Sequence, residues 1–170
     1  MHLLDALLAE FDHELGVTRR LLTLAPDGRA DFRPHPRSWS LGELCLHLGT
    51  VLSWTPRILQ QTEFDLHPPD QPAPPRAVFE SLPAARATFE HHAAAARAAL
   101  AASSDAELLQ TWRLKDGGRL LFTLPRAGVV RTWVCNHLVH HRGQLTVYLR
   151  LCDVPLPPIY GPTADTEGRP

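Results

Sequence analysis

The sequence predicts an all-α fold, a four-helix bundle with a small hairpin or extended loop before its last helix. Three observations lead there: four stretches of the 170-residue chain carry apolar residues at helical spacing, Pro- and Gly-rich segments punctuate them, and helix-start signals stand where stretches begin. There is no internal repeat, and residues 1–170 read as one domain of ordinary size.

The first helix covers residues 3–24, with Leu4, Leu7, Leu8, Phe11, Leu15, Thr18 and Leu22 on one stripe and Asp5, Glu10, Asp12, Arg19 and Arg20 mostly elsewhere. Gly28, Pro34 and Pro36 end that pattern. Ser40 and Glu43 then stand in the S-x-x-E relation of a capping box, so a second helix starts near Leu41. Its stripe is Leu44, His47, Leu48, Val51, Leu52, Thr55 and Leu59, with a kink or break expected at Pro56. Residues 65–75 hold five prolines and form a stiff surface connection, too short to separate one domain from another.

A third helix is expected from about Arg76 to Ala102, burying Val78 or Phe79, Leu82, Arg86, Phe89, Ala93, Ala96 and Leu100. Ser103, Ser104 and Asp105 offer caps for a short turn through Leu109. Residues 111–123, with the Asp116-Gly117-Gly118 turn between apolar flanks, read as the hairpin or extended loop. The last helix opens near Leu124 or Pro125 and runs to about Leu151, with Val130, Trp133, Val134, His137, His141, Leu145, Tyr148 and Leu149 on one face. Residues 153–170 are too rich in Pro and Gly for helix and pack as an extended tail.

Composition excludes several function classes. Seventeen basic against eighteen acidic residues give a net charge of −1, without the basic face that nucleic-acid binding needs. A 44% hydrophobic, 21% charged chain buries a core and is not disordered. No apolar stretch approaches the roughly 20 residues of a membrane span, and Asp5, Glu10, Asp12 and Glu14 stand where a signal peptide would be basic and then apolar. Cys45, Cys135 and Cys152 form no CxxC, which argues against a disulfide framework or a thiolate zinc site and makes the cytoplasm the expected location.

Ten histidines stand out. In the run Asn136-His137-Leu138-Val139-His140-His141, residues 137 and 141 lie about 40° and one turn apart, so both imidazoles can meet one ion. His140, about 60° round the other way from His137, offers a second pairing. A third ligand must come from another helix, and His47 is the other histidine expected to face the core of a long one. His2, His13, His35, His67, His91 and His92 fall off the stripes, in loops or on the surface. Cys45 and Cys135 each point about 160° away from the neighbouring histidine and are expected to be packing residues. There is no G-x-S-x-G, no phosphate-binding glycine loop and no H-E-x-x-H.

The run Ser38-Trp39-Ser40-Leu41-Gly42-Glu43-Leu44 leading to His47, together with Asn136-His137 and His140-His141-Arg142-Gly143-Gln144, resembles the DinB family, including its YfiT-like metal-dependent hydrolases. Pro155 to Pro162 is similar to the family's usual ending. The resemblance implies a DinB/YfiT-like bundle, frequent homodimerisation and a divalent metal, commonly zinc or nickel, held by three histidines. Position by position these are His47, His137 and His141, leaving His140 outside the ligand set.

Three neutral imidazoles would leave such an ion its full charge and an open position, an arrangement suited to catalysis. The resemblance implies a metal-dependent transferase that takes a low-molecular-weight thiol as cosubstrate and passes it to a small electrophile. The alternatives are a metal-dependent hydrolase that activates water and a non-enzymatic, stress-associated metal-binding protein. No general base is singled out, since Glu43 near His47 serves equally as the capping residue. Arg142 and Gln144 read as pocket or dimer-interface positions. A homodimer is expected because Trp54, Trp133 and Leu138 leave apolar surface to cover.

Overall fold

Helix α1 (Leu3–Thr23) forms on its apolar stripe, burying Leu7, Phe11, Leu15 and Leu22 together with Val17 and Leu21. The computed structural model describes residues 2–69, 72, 75 and 77–166. The first-turn amides of α1 would otherwise be unpartnered; the Asp105 carboxylate accepts those of Leu3 and Leu4 at 3.1 and 2.9 Å.

The capping box forms as the sequence predicts. Ser40 Oγ accepts the Glu43 amide at 3.2 Å, Glu43 Oε2 accepts the Ser40 amide at 2.6 Å, and α2 (Leu41–Thr50) begins there. The break comes before Pro56 itself, as a 3₁₀ turn over Val51–Ser53 that leads into α3 (Trp54–Gln60). Pro56 has no amide for the Leu52 carbonyl, so the disruption falls on the preceding turn.

Helix α4 spans Leu82–Ala101, six residues shorter at its start than expected; Arg76 lies outside the described residues. Ser81 caps it by accepting the Ala84 amide at 3.2 Å. A helix opening at residue 76 would carry Pro83 in its interior, where the ring costs a bond to the Phe79 carbonyl; in the first turn it costs nothing. Residues 77–80 therefore stay extended, and Phe79 lies over Gly42, where a Cβ would come within 2.4 Å of its ring.

The purely all-α expectation is corrected by a three-stranded sheet. Strands β2 (Thr111–Asp116) and β3 (Arg119–Pro125) form an antiparallel hairpin, and β1 (Glu63–Asp65) adds in parallel to β2. Gly117 and Gly118, at φ 58° and 78°, make the two-residue turn whose left-handed backbone glycine tolerates. The Asp65 carboxylate accepts both their amides, at 2.9 and 2.7 Å. A short helix α5 (Asp105–Leu108), boxed by Ser104 and Glu107, precedes the hairpin.

After Pro125 the chain runs helically to Leu151, as α6 (Arg126–Val129), a π-helical turn (Val130–Cys135) and α7 (Asn136–Leu151). The long helices pack in a ring, α1 and α2 each against both α4 and α7. The molecule is thus mostly helical, with the hairpin inserted in the chain between α5 and α6.

Two sequence expectations about α7 need correcting. Leu138, expected to leave apolar surface, is buried within its own chain, while Trp54 and Trp133 are half-buried in an aromatic group with Phe64 and Phe122. Arg142, expected in a pocket or dimer interface, is instead enclosed within its own chain: it is 2% exposed, with Nη1 2.5 Å from Glu14 Oε2 on α1. The Tyr160 hydroxyl donates to Glu14 at 2.8 Å and accepts from Arg142, which joins the extended tail to α1 and α7. Val154, Leu156 and Ile159 of that tail pack on the core. Among the described residues, no helix is long and apolar enough to cross a membrane.

Candidate metal centre

His47 stands in α2 and His137 and His141 one turn apart on α7, and the packing of α2 on α7 brings the three imidazoles together. One ligand nitrogen from each lies within 4.8 Å of the other two. His47 Nε2 and His137 Nε2 are 3.2 Å apart. Two nitrogens each about 2.0–2.1 Å from a shared ion would be about 3.0 Å apart in right-angled coordination and about 3.4 Å apart in tetrahedral coordination. The observed separation falls between, so His47 and His137 could share a divalent ion without movement of either ring, with the His141 nitrogen within 4.8 Å of both.

The protonation states suit that task. Burial pushes the His47 imidazole down to about 4, and the nearby His141 and His137 rings push it the same way. Burial also lowers His137 and His141, against hydrogen bonds to the Trp133 carbonyl and to Gln144 that raise them. All three rings are neutral at pH 7, the form that ligates metal. The bond to Trp133 comes from the π-helical turn immediately before α7, a distortion often found beside functional sites.

His140 points elsewhere and is exposed, with its Nε2 3.1 Å from the Gln144 amide nitrogen. Cys45 and Cys135 are buried core residues whose thiols burial pushes up to about 12, so neither supplies a thiolate. His92, expected on the surface, is half-buried and donates from Nδ1 to the Gly49 carbonyl at 3.1 Å.

Sequence reasoning missed the role of Trp39. Its ring stands 4.5 Å from that of His47 and 5.4 Å from that of His141, roofing the cluster while remaining 43% exposed. Tyr148 of α7 donates to the Trp39 carbonyl at 3.1 Å and so pins this residue across the site. The available signal was an aromatic directly before the Ser40 cap. Glu43 does not touch His47; it holds the cap and an ion pair with Arg33 at 2.9 Å, and its bond to the Ser40 amide, then Arg33, holds its carboxyl below the usual range.

Beside the imidazoles opens a cleft of about 650 Å³, lined by His47, Trp39, Leu46, Phe79 and Val78 with Glu43 and Thr50 at its polar margin. A ligand reaching His47 would thus lie against mostly apolar walls.

Comparison with known proteins agrees with this architecture. Over 164 residues the chain is 26% identical to the uncharacterized protein YrdA of Bacillus subtilis, covering 95% of this chain and 90% of that protein. The crystal structure of a DinB-like protein from Bacillus cereus superposes with a TM-score of 0.67 at 24% identity, over 92% of this chain and 97% of the other. The DinB-like protein YjoA of Bacillus subtilis gives a TM-score of 0.69 at 16% identity, over 93% and 99%. The family model of the DinB superfamily matches residues 10–145, from the middle of α1 through both α7 histidines, and the chain belongs to that superfamily.

Proposed function

We propose that this protein is a metal-dependent transferase in which His47, His137 and His141 hold one divalent ion, zinc or nickel, and which joins a low-molecular-weight thiol to a small electrophile. The observation that carries the reading is the neutral three-imidazole set with its His47 lining an apolar-walled cleft. When bound, such an ion lowers the pKa of a coordinated thiol and so makes a nucleophile available at neutral pH. In the transfer the S–H proton would pass to solvent water, a bond would form from sulfur to the electrophilic carbon, and the bond from that carbon to the leaving group would break with the electron pair departing on the leaving group.

The chain's own residues supply position and exclusion of water. Trp39 and Phe79 offer apolar walls for the electrophile, and Tyr148 keeps Trp39 over the rings. Glu43, the carboxylate at the cleft margin, is already engaged by Ser40 and Arg33 and is poorly placed as a general base. That favours a thiol ionised by the metal over hydrolysis, which gains more from a free base.

The test is metal content by elemental analysis, followed by a turnover screen pairing small thiols with electrophiles. One ion per chain is expected, with His47→Ala, His137→Ala and His141→Ala each losing it and His140→Ala retaining it under saturating metal. Thiol-dependent consumption of an electrophile should vanish in His141→Ala. Ester or amide hydrolysis without thiol would replace the transferase reading by a hydrolase, and full occupancy in His47→Ala would overturn the ligand set.

A further inference from the structure

Each imidazole has two nitrogens, and a neutral ring can ligate only through the one that carries no proton. A ring free to exchange tautomers presents the wrong nitrogen for a fraction of the time. Two of the three rings here have the outer nitrogen occupied. For His137 the partner is the Trp133 carbonyl. For His141 it is the side chain of Gln144, whose Oε1 lies 2.8 Å from Nδ1.

We propose that Gln144 is a positioning residue that fixes the His141 tautomer, and that His140 fixes Gln144. The amide oxygen can only accept, so His141 must donate from Nδ1, which leaves the Nε2 lone pair for the site. An amide turned the other way would present NH₂ to Nδ1 and demand the opposite tautomer. The amide nitrogen reaches His140 Nε2 at 3.1 Å and donates to it when that ring is protonated at Nδ1, the tautomer in which His140 holds the side chain in the productive sense. Gln144 lies three and four residues after His141 and His140 on α7, the spacings of one helical turn that let such side chains meet. The doubled histidine is therefore a division of labour: one ring faces the site, and its neighbour holds the amide that orients it. Outer partners of this kind raise metal affinity by about 10–100-fold.

The inference rests on the metal reading above, so its primary test is made without metal. Nitrogen-15 NMR of the metal-free native protein near pH 7.5 should show His141 protonated at Nδ1. Gln144→Leu should give a mixture of both tautomers and weaken zinc binding, measured by competition with a chromophoric chelator, by about 10–100-fold. Gln144→Glu keeps an acceptor for Nδ1 and should retain both the tautomer and most of the affinity. His140→Ala should admit some of the second tautomer and lower affinity by a few-fold at most. A native His141 protonated at Nε2, or a Gln144→Leu protein with unchanged tautomer and affinity, overturns the proposal. Failure of the native protein to take up zinc, with Nδ1 still protonated, overturns the metal reading instead.

Discussion

His141 and Arg142 are consecutive residues of α7 that enter opposite kinds of polar surroundings. About 100° of helical rotation separates them, so His141 faces α2 and Trp39 while Arg142 faces α1. The arginine is sealed, with its charge met by Glu14 and its remaining donors reaching the Glu14 carbonyl and the Tyr160 hydroxyl. The histidines are half-buried and uncharged, and His47 lines a cleft. A charge-matched node holds elements together; a group of neutral donors with lone pairs turned inward is suited to a cation. One helix supports both because its two faces are packed by different partners.

The largest expected effect comes from opening the sealed node. Arg142→Met leaves Glu14 buried without its counter-charge and should cost about 3–5 kcal/mol in urea denaturation. The double variant Glu14→Gln, Arg142→Met removes both charges and should recover most of that loss. A double variant as unstable as the single one would show that packing, and not charge matching, maintains the node. Zinc affinity of the folded fraction should stay within a few-fold of native throughout, since the node does not touch the imidazoles.

A smaller loss is expected from Tyr160→Phe, which removes one hydroxyl from the node and leaves Glu14 short of a donor. About 1–2 kcal/mol is the scale for such a deletion. Limited proteolysis should also cut the variant's tail sooner than the native tail. Equal stability and equal cleavage would mean that the tail is held by Val154, Leu156 and Ile159 alone.

The mildest effect is the acid response of the histidine group. The folded His47 titrates near 4, below the ordinary histidine value of about 6.5, so in that window the unfolded chain binds more protons than the folded one. The corresponding stability is fully present above about pH 6.5 and is lost as pH falls through about 4. Melting temperature of the metal-free protein should decline across this range, and His47→Leu should flatten the decline. Bound zinc should deepen it, because protons then compete with the metal. A native slope unchanged in His47→Leu would assign the acid sensitivity elsewhere.

The two regions also differ in how far they can be read from sequence. The meeting of His47, His137 and His141 is foreshadowed by local spacing: an i, i+4 pair on one helix and a histidine within the apolar stripe of another. The Ser40–Glu43 cap is legible for the same reason, as both partners lie within one turn. The Arg142 node is not, because Glu14 lies 128 residues away along the chain and Tyr160 in a segment without periodicity. An arginine in a helical pattern reads as solvated until its partner is known. Strand β1 is illegible because three residues, Glu63–Asp65, are too few to show alternation and owe their form to pairing with β2. The start of α4 is misplaced when an apolar pattern is extended through Pro83, whose chemistry already sets the limit.

The π-helical turn at Val130–Cys135 has a consequence for how this helix tolerates length changes. A π turn accommodates one residue more than an α-helical turn, absorbing a residue that elsewhere in an α-helix would rotate everything downstream by about 100°. The turn therefore sets the angular phase between the segment packed on the sheet and the segment carrying His137, Arg142 and Tyr148. Deleting one residue within it would let the chain form uninterrupted α-helix with the imidazoles and the upstream valines still on their present faces, whereas the same deletion within α7 would swing everything downstream of it out of place. That stretch is therefore the place in the helix where one residue more or fewer can be absorbed without disturbing the site.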